Sequence, residues 1–572
     1  MSAPRPVHAR SARRIGKGGL LVCLGLLAAV VATYALSLDN GPVWDDRPLV
    51  VDNPFLSSLA GLRRLWSSDL FTAAAGEERS SYYRPFTMFT FWVNVVLGGR
   101  STTSLRLGNV LIHAANAVLL ALFARKTHGV GWRPAGLVAL LFAVAPVCSE
   151  PVLWISGRFD LLVVTFALLA LLASRMETDV GLALGLAAVT AGLLCKESFL
   201  SWLPILLLHD LLVRRAPARR LVAKYLAIAG ICTAYLALRK IIDLPSVDVL
   251  ANTGVPALAV SYLFLVATFL RELVWPTTLN PFRPFIVPST TELLATVAVL
   301  GGLVGVPLAR LWSRRDDPTT RFVVFGVAWF LFTTLPSALV GPTLAIVGDR
   351  YAYLPLIGLF LVAMAIAGDL EKRHARGGSI AMVLGTVIAV AGGVCTALHS
   401  RAWKDDRSLA ESSLVSDPEN PYSLYWLGSD AAQHGQLDRA DGFLARSLAR
   451  NPGSWRTWDA VCFLRLNQDR LVEAERACKQ SIDLMGLNPR TWVNLASVYV
   501  RAERWKDALA AADQALAIKP GFAEAHYLAG VSAANLGLYA LAAEHVRAGL
   551  AIEPTHARLL RFKAELERAS KP

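Results

Sequence analysis

Between residues 18 and 398 the chain carries one apolar stretch after another, and this repetition restricts its fold more than any other feature. Inside a bilayer the backbone has no water to bond, so such stretches cross as helices that satisfy their own N–H and C=O groups. Candidate spans fall at 18–38, 104–124, 134–147, 157–174, 180–195, 197–213, 221–242, 291–311, 321–340, 351–368 and 378–398, about eleven in all. Composition agrees, because 54% hydrophobic and 17% charged residues in a chain of 572 exclude an ordinary soluble protein.

The basic residues sort the connections. "RPVHARSARRIGKGG" precedes an apolar run of about twenty residues, long for a signal peptide, which is read as a retained helix with its N-terminus in the cytoplasm. The loops "ARKTHGVGWR", "SRM", "RRAPARR", "RLWSRRDDPTTR" and "EKRHARGG" then fall on that same side. The net charge of +14 therefore marks cytoplasmic loops, and no nucleic-acid reading module accompanies it. Residues 255–275 are apolar enough to cross, but counting them would flip the two most arginine-rich later loops. They are expected to dip into or lie on the membrane within an outer loop. Residues 82–97, aromatic and carrying Arg84, receive the same interfacial reading. Outer loops at 39–103 and 243–290 remain, in a membrane domain of residues 1–400.

After a linker at 401–420, the dipeptides Asp417-Pro418, Asn451-Pro452, Asn488-Pro489, Lys519-Pro520 and Glu553-Pro554 recur at intervals of 34, 37, 31 and 34 residues. This is a tetratricopeptide period. Four repeats over 421–556 and a capping helix and tail at 557–572 are expected, with Leu427, Gly428, Ala440, Trp492, Leu495, Tyr499 and Ala508 at signature places. The fold class is all-α: a multispanning helix bundle followed by a C-terminal α-solenoid, whose usual partner is protein or peptide. The seven cysteines show no CxxC spacing, so no zinc site is indicated. Cys462 and Cys478 lie in the two helices of the second repeat, where buried thiols are preferred over a disulfide.

Directly after the first helix comes "GPVWDDRPLVVDNP". Adjacent carboxylates, Asp45 and Asp46, beside Trp44 at a membrane surface are costly unless solvated, paired or used. Several stretches in one order place this motif: "WDDRPLVVDNPFL", "YYRPFTMFTFWVN", "HAANAVLLALF", "APVCSEPVLWISGRFDLL", "CKESFLSWLPILLLHDLL" and "GDRYAYLPLIGLFL". Followed by tetratricopeptide repeats, they resemble the transmembrane and tetratricopeptide-repeat O-mannosyltransferases and their bacterial relatives, members of the GT-C glycosyltransferases. The resemblance covers about residues 38–370 plus the repeats. It implies a GT-C-type bundle whose first outer loop carries the catalytic acid, and a polyprenyl-phosphate sugar as donor. The sequence departs from relatives at Ala145, where they often carry a histidine, while Glu150, Trp154, Gly157, Arg158 and Asp160 remain.

Sugar transfer to a hydroxyl needs a base, and cations to stabilise the departing phosphate. One of Asp45 and Asp46 is expected to be the base, with Asp45 preferred, and the other to take a structural, hydrogen-bonding or ion-binding role. Arg84, Arg158, Lys196 and Arg350 are the donor-phosphate candidates, with Arg283 a further cation, and Trp44, Glu150, Asp160 and Glu197 support them. No cofactor is assigned, and a divalent cation stays open. His113 inside an apolar helix is read as a packed polar residue. The expected activity is hexose transfer, mannose first, to an envelope protein that the repeats recruit. Transfer to a lipid or glycan, or a non-catalytic membrane-anchored scaffold, are the alternatives. Alanine- and arginine-rich composition leans to a bacterial inner membrane, with the repeats on its outer, periplasmic side.

Overall fold

The computed structural model describes residues 16–74, 80–242, 244, 254–344 and 346–569. The chain forms two compact units that divide between Leu409 and Ala410. The N-terminal basic segment up to residue 15, most of the 243–253 connection and residues 570–572 lie outside the described residues.

The first unit is a helix bundle: α1 Lys17–Tyr34, α2 Pro85–Gly98, α3 Thr102–His128, α4 Trp132–Val144, α5 Arg158–Ser174, α6 Asp179–Cys195, α7 Ala218–Ile241, α8 Val255–Val274, α9 Thr290–Ser313, α10 Pro318–Leu344, α11 Tyr353–Arg373 and α12 Ala375–His399. Among the described residues nine helices, α1, α3, α5 and α7 to α12, are long and apolar enough to cross a membrane. The protein is a multi-pass membrane protein. Helices α2, α4 and α6 are apolar but shorter. At 1.5 Å per residue, the 14 residues of α2 reach only about 21 Å, which fits an interfacial helix.

Local chemistry sets the ends. The Ser101 hydroxyl accepts the Ser104 N–H at 3.2 Å to start α3, and Gly129, in the left-handed region at φ 71°, stops it after Arg125, Lys126 and His128. Helices α10 and α11 pack backbone to backbone: a Cβ on Gly326 would lie 2.6 Å from the Gly358 carbonyl oxygen.

Residues 197–213, expected as one regular span, form a 3₁₀ turn at Glu197–Trp202, a short α-helix at Leu203–Leu208 and a π-helical turn at His209–Arg214. Pro204 supplies no N–H to the preceding turn, and the wide π turn aims the buried Asp210 at Lys224 (2.6 Å) and Arg214 (2.9 Å).

Helix α8 explains the loop-counting problem. Near the end of α7, Arg239 donates to the Ser81 carbonyl at 2.8 Å and lies 3.5 Å from Glu197. Near the end of α8, Glu272 pairs with Arg283, which also bonds Asp349 at 3.1 Å. Arg350 and Lys196, next to these residues, share the Tyr351 ring, so both helix ends meet at one end of the bundle. Successive helices α7 and α8 therefore run in the same sense. Far from lying flat within a loop, α8 is an unbroken 20-residue helix, yet it leaves the sense of the later helices unchanged. At the opposite end the basic loops gather, with Arg214–Glu177 at 3.2 Å, Arg215–Asp316 at 2.7 Å and His128 stacked 4.8 Å from Phe322.

The second unit consists of Pro421–Gln433 with Leu437–Arg450, Trp455–Asn467 with Leu471–Leu484, Pro489–Arg501 with Trp505–Ile518, Ala523–Asn535 with Tyr539–Ile552, and the terminal helix Ala557–Ala569. Small residues allow each pair to close: a Cβ on Gly428 would meet Leu444 at 2.7 Å. Cys462 and Cys478 are joined in a disulfide, which corrects the expectation of two thiols. Their positions on facing antiparallel helices bring the Cα atoms to 5.1 Å, within disulfide reach.

Candidate functional site

The loop after α1 is pinned to the turns that precede α5. The Asp46 Oδ1 accepts both the backbone N–H and the hydroxyl of Ser156 at 2.8 Å, and its Oδ2 accepts the Val43 N–H at 3.2 Å. Arg106, fully buried in α3, donates to the carbonyls of Ser37, Asn40, Gly41 and Leu153, which fixes the same loop from below. Burial pushes the Asp46 carboxyl up to about 6, against the opposing pull of its Ser156 and Val43 bonds and the Arg106 charge. Asp46 is thus a buried anchor. Asp45, one residue earlier, is half-buried and takes part in the turn through its carbonyl, which accepts the Leu49 N–H at 3.0 Å.

Trp44 sits at φ 55°, a left-handed conformation unusual for a bulky side chain. Its N–H donates to Asp406 at 2.7 Å. That conformation lays its ring 5.2 Å from Trp154 in a stack and 4.9 Å from Phe282 edge-on. The Arg350 guanidinium lies over Trp44 (5.1 Å), Trp154 (5.3 Å) and Tyr351 (4.7 Å). Glu150 holds Arg350 twice, accepting from the guanidinium at 2.6 Å and from the backbone N–H at 2.8 Å. Burial raises the Glu150 carboxyl, and Arg350 opposes that rise.

Two more cations complete the cluster. Lys196 bonds Asp160 at 2.5 Å and lies 5.5 Å from the Tyr351 ring. Arg84 pairs with Glu197 at 3.1 Å, its guanidinium between the rings of Tyr82 and Phe159 at 4.6 Å each. The structure thus brings Trp44, Glu150, Asp160, Arg84, Lys196, Glu197 and Arg350 to one end of the bundle, next to the anchored turn of Asp45 and Asp46. Three cations matched by three carboxylates can hold an anion by rearranging short, partly buried pairs.

Arg158 does not join them. It is 1% exposed and donates to Asn109 (2.7 Å), Asn94 (2.8 Å) and the carbonyls of Leu105 (2.7 Å) and Thr90 (3.2 Å). Its charge faces Phe91 at 4.0 Å, so it clamps α2 and α3 to α5 instead of facing a phosphate. Arg283 is engaged by Glu272 and Asp349. His113 is packed between the Tyr353 hydroxyl (2.7 Å) and the Ala143 carbonyl (2.9 Å). Among the described residues no group of three or more His, Cys, Asp or Glu side chains is arranged to hold a metal ion.

Arg106, Arg239, Phe282 and Asp406 were not singled out from the sequence. Only Arg106 carried a signal, a lone charge inside an apolar span. The others reach the site by long-range folding.

Residues 493–557 match the tetratricopeptide repeat family. A protein O-mannosyl-transferase of Caenorhabditis elegans is 28% identical over 211 residues, 36% of this chain and 30% of that one. Protein O-mannosyl-transferase TMTC3 of Mus musculus is 32% identical over 33% of this chain and 21% of its own. TMTC4 of Homo sapiens is 25% identical over 72% of this chain and 64% of its own. The chain thus spans less than two thirds of the length of each of these relatives. Among solved structures, MamA is 21% identical over 30% of this chain and 94% of its own, with a TM-score of 0.24. YrrB, described as a tetratricopeptide protein with an unusual peptide-binding site, is 14% identical over 34% and 96%, with a TM-score of 0.25. The chain is a membrane protein with tetratricopeptide repeats that is similar to protein O-mannosyl-transferases.

Proposed function

We propose that the protein is a GT-C-type glycosyltransferase that moves a hexose, mannose first, from a polyprenyl phosphate to a hydroxyl of an envelope protein. The observation that carries this reading is the division between two adjacent carboxylates: Asp46 is buried as an anchor, which holds Asp45 on a rigid turn beside the Arg350 and tryptophan cluster. Asp45 takes the proton of the acceptor hydroxyl as its oxygen bonds the anomeric carbon. The bond from that carbon to the phosphate oxygen breaks, and the electron pair leaves with the polyprenyl phosphate. Arg350, Lys196 and Arg84 stabilise the charge on that phosphate. The Trp44 and Trp154 faces offer a surface for the sugar ring. The repeats recruit the acceptor polypeptide. The setting is a bacterial inner membrane, with this end of the bundle and the repeats on the periplasmic side.

The test is transfer of radiolabelled sugar from polyprenyl-phosphate mannose and glucose into membrane proteins and lipids, at matched expression. Wild type labels protein, and Asp45→Asn abolishes label while leaving the folded yield unchanged. Label that survives Asp45→Asn removes the base assignment; label confined to lipid replaces the protein acceptor.

A further inference from the structure

The repeats share a 34-residue register, and at one pair of positions the fourth departs from the two before it. On the first helix, Trp458 and Trp492 are followed one register later by His526; on the facing second helix, Ala477 and Ala511 are followed by His545. A large ring with a small partner has become two rings of intermediate size. Glycines bring these two helices close: a Cβ on Gly549 would lie 3.1 Å from the Cβ of His526, and one on Gly530 3.6 Å from that of His545. The imidazoles therefore meet, with Nδ1 to Nδ1 at 3.1 Å and ring centres 5.4 Å apart.

The bonds around the pair decide which nitrogens carry protons. Trp458 donates its indole N–H to the carbonyl six residues back, that of Pro452, at 2.9 Å, and Trp492 does the same to Gly486 at 2.9 Å. His526 Nε2 takes the same place, 3.2 Å from the Pro520 carbonyl, which can only accept. In the neutral imidazole Nε2 is thus the protonated nitrogen, and Nδ1 presents its lone pair to His545. This is the tautomer of a metal-bound histidine, whose outer N–H is held by a carbonyl or carboxylate. The Asp513 carboxylate lies within electrostatic reach of His545 and favours positive charge there.

We infer that His526 and His545 chelate one divalent transition-metal ion of the zinc class through their two Nδ1 atoms. Two nitrogens on one tetrahedral ion, each at about 2.0–2.1 Å, stand about 3.3 Å apart, close to the 3.1 Å present here. A tilt of each ring about its side-chain torsions turns both lone pairs onto the ion. The Nδ1 proton of His545 moves to its Nε2 by exchange with water, so two neutral imidazoles bind without net proton release. Imidazole nitrogens select zinc, nickel or copper over magnesium and calcium, which take oxygen ligands. Water fills the remaining positions of a four-coordinate ion. An ion so held ties together the two helices of the fourth repeat, and the site stands apart from sugar transfer.

The test uses the full chain in phosphatidylcholine nanodiscs, isolated without a histidine tag, and reads zinc binding by competition with a chromophoric chelator. His526→Trp with His545→Ala recreates the pair of the two preceding repeats and serves as the folded reference. Wild type binds one zinc ion more per chain than this double variant, and zinc raises the unfolding temperature of the repeat unit in wild type alone. His526→Gln and His545→Gln, which keep a polar side chain at each place, each weaken that site at least about tenfold. Equal zinc uptake by wild type and the double variant overturns the inference and leaves a hydrogen bond between two imidazoles. So does full affinity in either single variant, which would mean that the two histidines do not share the ion. A site that magnesium fills as well as zinc overturns it too, since imidazole would then not be the ligand.

Discussion

Ser156 holds Asp46 with two donors, its backbone N–H and its hydroxyl, both 2.8 Å from one carboxylate oxygen across 110 residues of chain. That double bond of contact makes the second aspartate of the pair a fastener. Asp46→Ala leaves the buried N–H groups of Ser156 and Val43 without acceptors, and is expected to destabilise the membrane unit by about 2–4 kcal/mol. Ser156→Ala removes only the hydroxyl and costs about 1 kcal/mol. Thermal unfolding in detergent reads both; equal, negligible effects would contradict the anchor.

The same carboxyl carries a pH signature. Its folded value of about 6 lies above the ordinary 3.8, so between those values the folded chain retains a proton that the unfolded chain has released. The stability this group contributes is complete below about pH 4, declines as pH rises to about 6, and is level beyond, a change of about 3 kcal/mol. Asp46→Asn cannot ionise and lacks the slope. Unfolding temperatures of the two proteins, taken from about pH 4 to pH 7, should show the wild type losing ground to the variant over that window; a constant difference would refute the raised carboxyl.

What was legible in the sequence follows from how local each signal is. The basic loops, most of the spans and the 34-residue register are short-range patterns that the structure reproduces, whereas 197–213 breaks into three short pieces and 255–274, left out of the expected spans, is long and apolar enough to cross. "WDD" marked the site for the same reason. The unequal burial of Asp45 and Asp46 was not legible, because it depends on Ser156 and Arg106 arriving from other helices. Arg158 shows the converse. An arginine at a helix end beside Asp160 reads as a phosphate ligand, and only the packing of Asn94 and Asn109 against it shows that its donors are already engaged. Nor could loop charge reveal that α7 and α8 run in the same sense, since that requires the long-range pairs of Arg239 and Arg283.

The reassignment of Arg158 can be set against Lys196. Arg158→Ala removes four hydrogen bonds, two of them fully buried, and should cost about 3 kcal/mol or more, lowering folded yield, while the surviving fraction keeps its donor KM. Lys196→Met removes a cation from the cluster but only one bond, to Asp160. Its expected effect is a donor KM raised at least about tenfold, with a loss of stability from the unpaired Asp160 that is smaller than that of Arg158→Ala. A raised KM in the Arg158 variant at full stability would return that arginine to the phosphate.

The disulfide permits a test confined to the repeats. Cys462 and Cys478 are separated by 16 residues, and closing a loop of that length constrains the unfolded chain by about 3 kcal/mol in the chain-entropy description. Replacing both cysteines by serine should therefore lower the unfolding temperature of residues 410–572, and treatment of wild type with reductant should lower it by a similar amount. Alkylation of the denatured wild-type protein should label five cysteines before reduction and seven after it, since the other five are free thiols. Seven labelled cysteines without reduction, in protein isolated from its own membrane, would mean that the pair stays reduced there and that the repeats do not face an oxidising compartment.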